Sequence, residues 1–299
     1  MKTKEWFDQW LSLYVKGRVK PRTYTKYSQI TRTHIIPYLG DRELQSITRD
    51  DIQSMVYVDL RQQTTLSAST INSVIMVLNI VFSLGEELGI IPANPCRKIK
   101  RLPQSEKKVQ AFTRSEQRLI EEHILHANKP KLYGIIICLY MGLRIGELLA
   151  LTWADVDLQR RTVYISKTIG ERGEIAPTKS NAGMRLLPIP NAIIDMLRGL
   201  KHKSTSNYVI ETKGHQTNIR AYQDLYKRML QTIGLNSLGF HSLRHTFATR
   251  ALESGMDFKT LSELMGHANV SITIERYAHC QMELKRKAIN RLSRLNSGE

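Results

Sequence analysis

Three kinds of side chain late in the sequence have a spacing that suits phosphoryl chemistry. His241 and Arg244 are three residues apart, so on a helix they share one face and can present a proton-transfer group and a cation to one anion. His267 follows Arg244 after twenty-three residues, and Tyr277 lies ten residues further on. A tyrosine hydroxyl, with a reference pKa of about 10, is a poor nucleophile until a base or nearby cations stabilise its phenolate. The set predicts attack of a tyrosine on a phosphodiester whose oxygens are held by cations rather than by a metal.

A metal site is the competing interpretation of the histidines. His241 and His245 are four residues apart and could bind a metal from one face of a helix. However, no glutamate follows His241 as in the zinc-protease pattern H-E-x-x-H, and the sequence offers no obvious third ligand. We therefore expect neither a metal nor another cofactor.

Five short segments carry a resemblance to a known family. They are 141–148 (MGLRIGEL), 177–180 (PTKS), 241–245 (HSLRH), 264–269 (LMGHAN) and Tyr277. In this order and spacing the chain resembles the tyrosine recombinase (phage integrase) family. The pattern covers residues from about 112 to 277, and the first third of the chain is similar to the core-site-binding domain of the family.

The resemblance implies a role for each matching residue of the phosphate site. Tyr277 would attack the scissile phosphate, forming a 3′-phosphotyrosine and releasing a 5′-hydroxyl. Arg144 and Arg244 would hold the non-bridging oxygens, for which a guanidinium fork is better suited than lysine. Glu147 would support neighbouring groups, although from the residues alone it could simply pair with Arg144, three positions away.

The same resemblance implies the proton transfers. His241 would take the tyrosine proton, and His267 would hydrogen-bond the phosphoryl group. Lys179, expected at or near the tip of a β-hairpin, would protonate the departing 5′ oxygen. Lys167 and Lys213 lie in the same half of the chain and are the alternatives for this acid.

Composition indicates a polyanionic partner. The chain has 299 residues, a formal net charge of +17 and only three cysteines. Such basicity favours binding to double-stranded DNA through release of its counterions, although a basic protein without a nucleic-acid partner has the same charge. Scattered cysteines favour a reducing compartment. The longest uninterrupted apolar run, 135–141, is far too short to span a bilayer, and the N-terminus lacks the apolar core that is typical of a signal peptide. We therefore expect a cytoplasmic protein without a membrane partner.

The N-terminal part, residues 1–103, is expected to be a helical core-site DNA-binding domain. Helices are predicted from about 23 to 38, 49 to 61 and 67 to 88, the second with a capping box formed by Thr48 and Asp51. Its basic side chains are candidates for phosphate contact, although any of them could lie on an ordinary solvated face. The candidates, extended by the basic connector near residue 100, are Lys16, Arg18, Lys20, Arg22, Lys26, Arg32, Lys98, Lys100 and Arg101.

The positions of three prolines predict where the first domain ends. Pro92, Pro95 and Pro103 surround the connector and discourage helix continuation. We therefore predict a basic, proline-containing linker region at 104–111 and a catalytic domain at 112–299.

The catalytic domain is predicted to be mostly helical with a small β-sheet. Helices are expected over 113–127, 133–141, 145–151, 191–200, 218–233 and 241–254. Strands are expected at 162–165 and 185–189, and Ser271 is expected to cap the short helix that carries Tyr277. An amphipathic helix is predicted at 281–295; in the family such a segment docks onto a neighbouring protomer, whereas packing on its own domain is the alternative.

The predicted function is that of a site-specific DNA recombinase, or integrase, of a mobile element. The family resemblance implies a homotetramer on DNA, a Holliday-junction intermediate and accessory DNA-bending proteins as partners. A DNA-binding regulator would need neither Tyr277 nor Lys179, and a topoisomerase would use the same chemistry to nick and reseal one duplex. The two-domain layout and the basic C-terminal helix favour recombination.

Overall fold

The computed structural model describes residues 1–104, 109–170, 173–178, 181–277, 286, 289 and 290. Contacts divide the chain into two compact units, Met1–Lys107 and Lys108–Glu299. Helices dominate both units, and the strands are few and short. The predicted class, mainly α with a small β-sheet, is confirmed.

The first unit is a helical bundle, and three of its α-helices run directly into π-helical turns. The α-helices are α1 (Thr3–Gln9), α2 (Pro21–Ile30), α3 (Ile36–Leu39), α4 (Arg49–Ser54) and α5 (Ala68–Glu87). The π-helical turns are Trp10–Val15, Thr31–Ile35 and Met55–Leu60. Pro21 occupies the first turn of α2, where its missing N–H costs nothing because that group has no partner within the helix.

Local hydrogen bonds set the beginnings of these helices. The Thr48 hydroxyl accepts from the Asp51 N–H, and the Asp51 carboxylate accepts from the Thr48 N–H at 2.8 Å, as the predicted capping box requires. Ser67 caps α5 in a similar way by accepting from the Thr70 N–H.

Helix α5 is the central element of the first unit. By length and composition it is apolar enough to cross a membrane, a test that the core helix of a globular bundle also passes. Half of that apolar window is buried within the protein, with Ile71, Val74, Leu78 and Phe82 in the core. Its apolar face is therefore satisfied by packing within the bundle.

The connector that follows α5 is attached to the bundle. Asn72 pairs with Leu102 through two hydrogen bonds, of 2.8 and 2.9 Å, between its side-chain amide and the Leu102 backbone. The Tyr57 hydroxyl donates to the Lys100 carbonyl oxygen at 2.6 Å. These bonds hold the basic residues of the connector on the surface of the first unit.

The second unit contains eight α-helices among its described residues. They are α6 (Arg114–Ala127), α7 (Tyr133–Met141), α8 (Ile145–Ala150), α9 (Asn191–Lys203), α10 (Ile219–Thr232), α11 (His241–Glu253), α12 (Phe258–Met265) and α13 (Val270–Tyr277). A capping box between Thr113 and Glu116 starts α6 as predicted. The apolar helix α7 is buried almost throughout, and α8, α9 and α10 pack around it in one core.

Short antiparallel strands complete this unit. They are β1 (Val156–Asp157), β2 (Thr162–Ile165), β3 (Lys167–Ile169), β4 (Ile175–Pro177), β5 (Arg185–Pro188), β6 (Glu211–Thr212) and β7 (His215–Gln216). The order β1-β2-β5 forms one sheet, and β3-β4 and β6-β7 form separate hairpins. The predicted strands correspond to β2 and β5, whereas the β3-β4 hairpin between them was not predicted, because its three-residue strands are too short to show an alternating pattern.

One cap was predicted wrongly. Helix α13 begins at Val270, and the Asn269 carboxamide oxygen accepts from the Ser271 N–H at 2.9 Å. Asn269, not Ser271, is therefore the capping residue, since an asparagine side chain reaches the N–H two residues on. The C-terminal helix predicted at 281–295 lies almost wholly outside the described residues.

Candidate active site

Three arginines converge on the C-terminal end of α12. Three successive carbonyl oxygens there accept from them: Leu264 from Arg185 Nε at 2.7 Å, Met265 from Arg244 Nη2, and Gly266 from Arg144 Nη2 at 3.4 Å. The last carbonyls of a helix have no partner within the helix and carry the negative end of its dipole. The end of α12 therefore suits three cations from three different elements.

A single buried carboxylate ties two of these arginines together. Glu147, whose side chain is 3% exposed, accepts from Arg144 Nη1 at 2.7 Å and from Arg185 Nη2 at 3.0 Å. It also accepts from the Arg144 N–H at 3.0 Å, which starts α8. Burial alone would raise the pKa of Glu147, but the neighbouring guanidinium groups of Arg185, Arg144 and Arg244 lower it, so the carboxylate is charged.

The four groups together have an excess of positive charge. Three guanidinium groups face the one Glu147 carboxylate, and Arg244 is only 1% exposed. Burial, and next repulsion from Arg144, lower the pKa of Arg244 to about 9, which still leaves it charged at neutral pH. Arg144, with 39% of its side chain exposed, is the member most open to an incoming anion. This arrangement is suited to binding a phosphate.

Two glycines allow this convergence. Gly266 has φ +62°, and a Cβ there would lie 2.9 Å from both the Ala182 carbonyl oxygen and Arg185 Nη1. Gly142, with φ +64°, ends α7, and its carbonyl oxygen accepts from Arg244 Nη1 at 2.6 Å. Both turns use left-handed backbone and leave no room for a side chain, since a Cβ at Gly142 would meet the Phe247 ring.

Tyr277 lies at the end of α13, and its side chain is fully buried. His245 Nδ1 is 2.6 Å from the Tyr277 hydroxyl oxygen. His245 follows Arg244 on α11, and its ring packs edge-to-face on His241 at 4.6 Å between centroids. The structure therefore links the candidate nucleophile to His241 and Arg244 through His245.

The other predicted histidines adjoin the arginines. His267 comes directly after Gly266, and its Nδ1 is 2.8 Å from the Thr273 hydroxyl oxygen. Desolvation, followed by repulsion from Arg244 and Arg144, lowers the pKa of His267 to about 4. His241, in the first turn of α11, keeps part of its side chain at the surface; desolvation and repulsion from His245 lower its pKa to about 4 as well. Both imidazoles are neutral at pH 7.

Lys179 lies outside the described residues, whereas its two alternatives are described. Lys167 on β3 forms an ion pair with Asp155 at 2.9 Å and donates to the Thr152 hydroxyl at 3.1 Å. Lys213 is exposed in the β6-β7 turn, where its φ is +51°. The engagement of Lys167 makes it a poor candidate for a mobile acid.

Two other tyrosines of this unit are engaged in its core. The Tyr222 hydroxyl donates to the Lys131 carbonyl oxygen at 2.8 Å, and the Tyr226 hydroxyl lies 3.3 Å from the Ser242 hydroxyl. Burial raises the pKa of both phenols well above its ordinary value. Neither is placed as a nucleophile at the arginine cluster.

The predicted DNA-contacting cations all lie on the surface of the first unit. The exposed side chains are Lys16, Arg18, Lys20, Arg22, Lys26, Arg32, Lys98, Lys100 and Arg101. The Arg18 guanidinium lies over the Tyr14 ring at 5.8 Å, and Lys26 Nζ is 3.5 Å from the Ser73 hydroxyl oxygen. Such exposure is required of a phosphate contact but is shared by ordinary solvated cations.

Two residues of the site were not predicted. The sequence indicates Arg185 only as the start of a strand, and His245 only as a potential metal ligand. An arginine at the first position of an otherwise apolar strand is a weak signal of a buried ion pair. His245 could have been found from its position next to Arg244, one turn after His241.

Comparison with known proteins gives consistent matches over both units. The model described as "Phage integrase family" matches residues 113–283, and "Phage integrase, N-terminal SAM-like domain" matches residues 3–57. A tyrosine recombinase XerC-like protein of Caldanaerobacter subterraneus subsp. tengcongensis is 28% identical, over 96% of this chain and 81% of its own.

Solved structures show the same fold. The Tn1549 transposon integrase in complex with a circular-intermediate DNA superposes with a TM-score of 0.83 at 21% identity, covering 98% of this chain and 99% of its own. A lambda integrase tetramer bound to a Holliday junction gives 0.72 at 19% identity, covering 90% of this chain and 78% of its own.

Proposed function

Because the chain belongs to the phage integrase family of tyrosine recombinases, which cleave and rejoin DNA, we propose that it is a site-specific recombinase with Tyr277 as its nucleophile. The observation that carries the proposal is the convergence of Arg144, Arg185 and Arg244 on the end of α12. Tyr277 ends the next helix along the chain, within hydrogen-bonding distance of His245 on the helix of Arg244.

The arginines stabilise the charge that develops on the phosphate. Arg144 and Arg244 hold the two non-bridging oxygens of the scissile phosphodiester, where negative charge accumulates in the transition state. Glu147 and Arg185 do not need to touch DNA, because their role is to hold Arg144 and the end of α12 in place. Such preorganisation avoids a rearrangement of dipoles during the reaction.

The reaction exchanges one phosphoester bond for another. The Tyr277 hydroxyl gives its proton to a histidine of the site, and its oxygen forms a bond to phosphorus while the bond from phosphorus to the 5′ oxygen breaks, which leaves a 3′-phosphotyrosine. Lys179 gives a proton to the departing 5′ oxygen. His267 donates from Nε2 to a phosphoryl oxygen, for which Thr273 must donate to Nδ1. His241 lines the same phosphate. A 5′-hydroxyl from a partner strand then attacks the phosphotyrosine, so the bond energy is kept and no ATP is needed.

The first unit binds double-stranded DNA through its backbone phosphates. Its exposed cations lie on helices and on the connector after α5, and the whole chain carries a formal net charge of +17. These cations neutralise backbone phosphates and make affinity fall with salt concentration. We assign the core-site-binding domain to residues 1–103, the linker region to 104–111 and the catalytic domain to 112–299.

Recombination needs two duplexes, and therefore four protomers. The lambda integrase tetramer on a Holliday junction supports a tetramer, and the Tn1549 integrase with circular-intermediate DNA supports integration or excision of a mobile element. The segment 281–295 joins neighbouring protomers in this assembly, and DNA-bending proteins assist it. The protein acts on DNA in the cytoplasm.

Covalent capture tests the proposed function. Labelled, nicked duplexes tiled across the DNA flanking the gene are incubated with the protein and resolved under denaturing conditions. We expect the wild-type protein to form a stable adduct with at least one tile and Tyr277→Phe to form none while still binding that tile. Tyr164→Phe, which removes an exposed hydroxyl on β2, should form the adduct normally. A wild-type protein that cuts no tile, or an adduct that persists in Tyr277→Phe, would contradict the proposal.

A further inference from the structure

The hydroxyl of Tyr277 has a specific partner that the family resemblance does not provide. His245 Nδ1 lies 2.6 Å from the Tyr277 oxygen, which is within the range over which a general base must approach the proton it removes. The tyrosine side chain is fully buried, so solvent does not readily take this proton. His241, to which the resemblance assigns the proton, sits one turn earlier on α11 and packs against the His245 ring.

The charge state of His245 suits an acceptor. Desolvation, followed by repulsion from Arg276 and Arg244, lowers its pKa to about 4, so the ring is neutral at pH 7. For Nδ1 to accept from the tyrosine, the proton of the neutral ring must be on Nε2. A neutral imidazole with that tautomer can receive the phenolic proton directly.

The surrounding cations make this acceptor dependent on DNA. Arg276 on α13, and Arg244 on α11, disfavour a charged imidazole while no anion is present. Among the residues that the structure describes, His241 and Tyr277 are the other titratable groups in contact with the ring. A phosphodiester bound to the arginine cluster offsets those positive charges and raises the basicity of His245. Proton removal from Tyr277 is therefore favoured when the scissile phosphate is in place.

We propose that His245, rather than His241, is the catalytic base that takes the proton of Tyr277 during attack on DNA. The step rests on the proposed function. The tyrosine O–H bond breaks and an N–H bond forms at His245 Nδ1, while the tyrosine oxygen bonds to phosphorus and the 5′ oxygen departs with the electron pair of its bond. During religation His245 returns the proton to the tyrosine oxygen. His241 then remains a phosphate ligand.

Two substitutions test whether His245 must accept a proton or only hold the tyrosine hydroxyl in place. His245→Gln keeps a hydrogen-bond acceptor near the tyrosine but cannot take a proton, whereas His245→Ala removes both functions. Single-turnover cleavage of the captured duplex should fall by about 100-fold or more in both, since general-base catalysis contributes about 10²–10⁴. His202→Gln on α9 is the matched control, because that histidine is exposed and lies outside the site. Thermal unfolding verifies that each variant is folded.

A more acidic nucleophile gives the decisive comparison. Replacing Tyr277 with 3,5-difluorotyrosine through a suppressed stop codon makes the phenol less dependent on a base. In His245→Gln, we expect the cleavage rate with the fluorinated tyrosine to be at least about tenfold higher than with ordinary tyrosine. In His241→Gln, we expect a smaller increase. A wild-type rate in His245→Gln, equal losses with both tyrosines, or recovery confined to His241→Gln would overturn the assignment. Absence of any adduct with the wild-type protein would instead contradict the proposed function itself.

Discussion

At the scale of single residues, the three arginines differ in how far their N–H groups are already hydrogen-bonded within the protein, and therefore in their ability to bind a phosphate. Arg185 has a side chain 7% exposed and contacts Glu147 and the Leu264 carbonyl oxygen, so it holds other groups in place. Arg244 donates two of its five N–H groups to the Gly142 and Met265 carbonyl oxygens. Its planar fork therefore spans two elements and can still offer N–H groups to a phosphate.

Arg244→Lys should impair cleavage far more than DNA binding. An ammonium retains the charge but cannot bridge Gly142 and Met265 while contacting phosphate, and loss of one such donor typically costs about 3–4 kcal/mol in the transition state. We expect the single-turnover rate at saturating protein to drop by about 100-fold or more. Arg250→Lys, on the same helix but paired with Glu253, is the control and should retain the rate. Equal rates for the two variants would assign Arg244 a purely structural role.

The depressed histidine pKa values predict how stability depends on pH. His241, His245 and His267 each have a pKa of about 4 in place of 6.5, so between these values the unfolded chain binds more protons than the folded one. The free energy of unfolding must therefore fall as pH is lowered from 6.5 towards 4. We expect Tm to decrease over this window without DNA, and to decrease less in His245→Gln. Identical pH dependence of wild type and His245→Gln would contradict the assigned pKa of His245.

At the scale of elements, the end of α12 organises the site because its geometry exposes three carbonyls in succession. The left-handed turn at Gly266 directs the chain onward to His267 and lets the Ala182 carbonyl and Arg185 approach the backbone. The groups that meet at this point come from four places in the chain. They are the Gly142 carbonyl after α7, Arg144 and Glu147 at the start of α8, Arg244 on α11, and Arg185 on β5. The site is therefore built by contacts between elements rather than within one.

Gly266→Ala tests this convergence against a matched position. Gly266 and Gly234 both follow a helix with positive φ, +62° and +70°, but a Cβ at Gly234 would meet nothing within 4 Å. Both alanines carry the conformational cost of left-handed backbone, about 1 kcal/mol. Only Gly266→Ala should also displace Arg185 and reduce cleavage, by at least about tenfold. Similar cleavage rates for the two variants, measured in single turnover, would show that the close approach at Gly266 is unimportant.

Sequence reasoning succeeded where the physical cause is local. The capping boxes at Thr48 and Thr113 depend on hydrogen bonds between residues three apart, and the periodic apolar positions of α5 are visible in its sequence. The contacts that complete the site join distant residues, with 32 positions between Tyr277 and His245 and 38 between Arg185 and Glu147. Spacing along the chain does not predict such pairs, which arise only when α8, α11, α13 and β5 pack together.

At the scale of the whole molecule, the cations predicted to contact DNA and the groups predicted to carry out the chemistry lie in different units. The first unit carries the exposed cations predicted to contact DNA, and the second holds the arginine cluster, the histidines and Tyr277. The formal net charge of +17 favours association with any duplex, whereas the proposed chemistry requires a phosphate held by Arg144 and Arg244 in particular. Binding and cleavage should therefore respond to different substitutions.

The identity of the residue joined to DNA is the most direct test of the central claim. The captured adduct is digested with nuclease and protease, and the nucleotide-bearing peptide is sequenced by mass spectrometry. We predict a nucleotide attached through its 3′-phosphate to Tyr277 and no attachment elsewhere in the chain. A nucleotide on Tyr222, on Tyr226 or on a non-tyrosine residue would contradict the account.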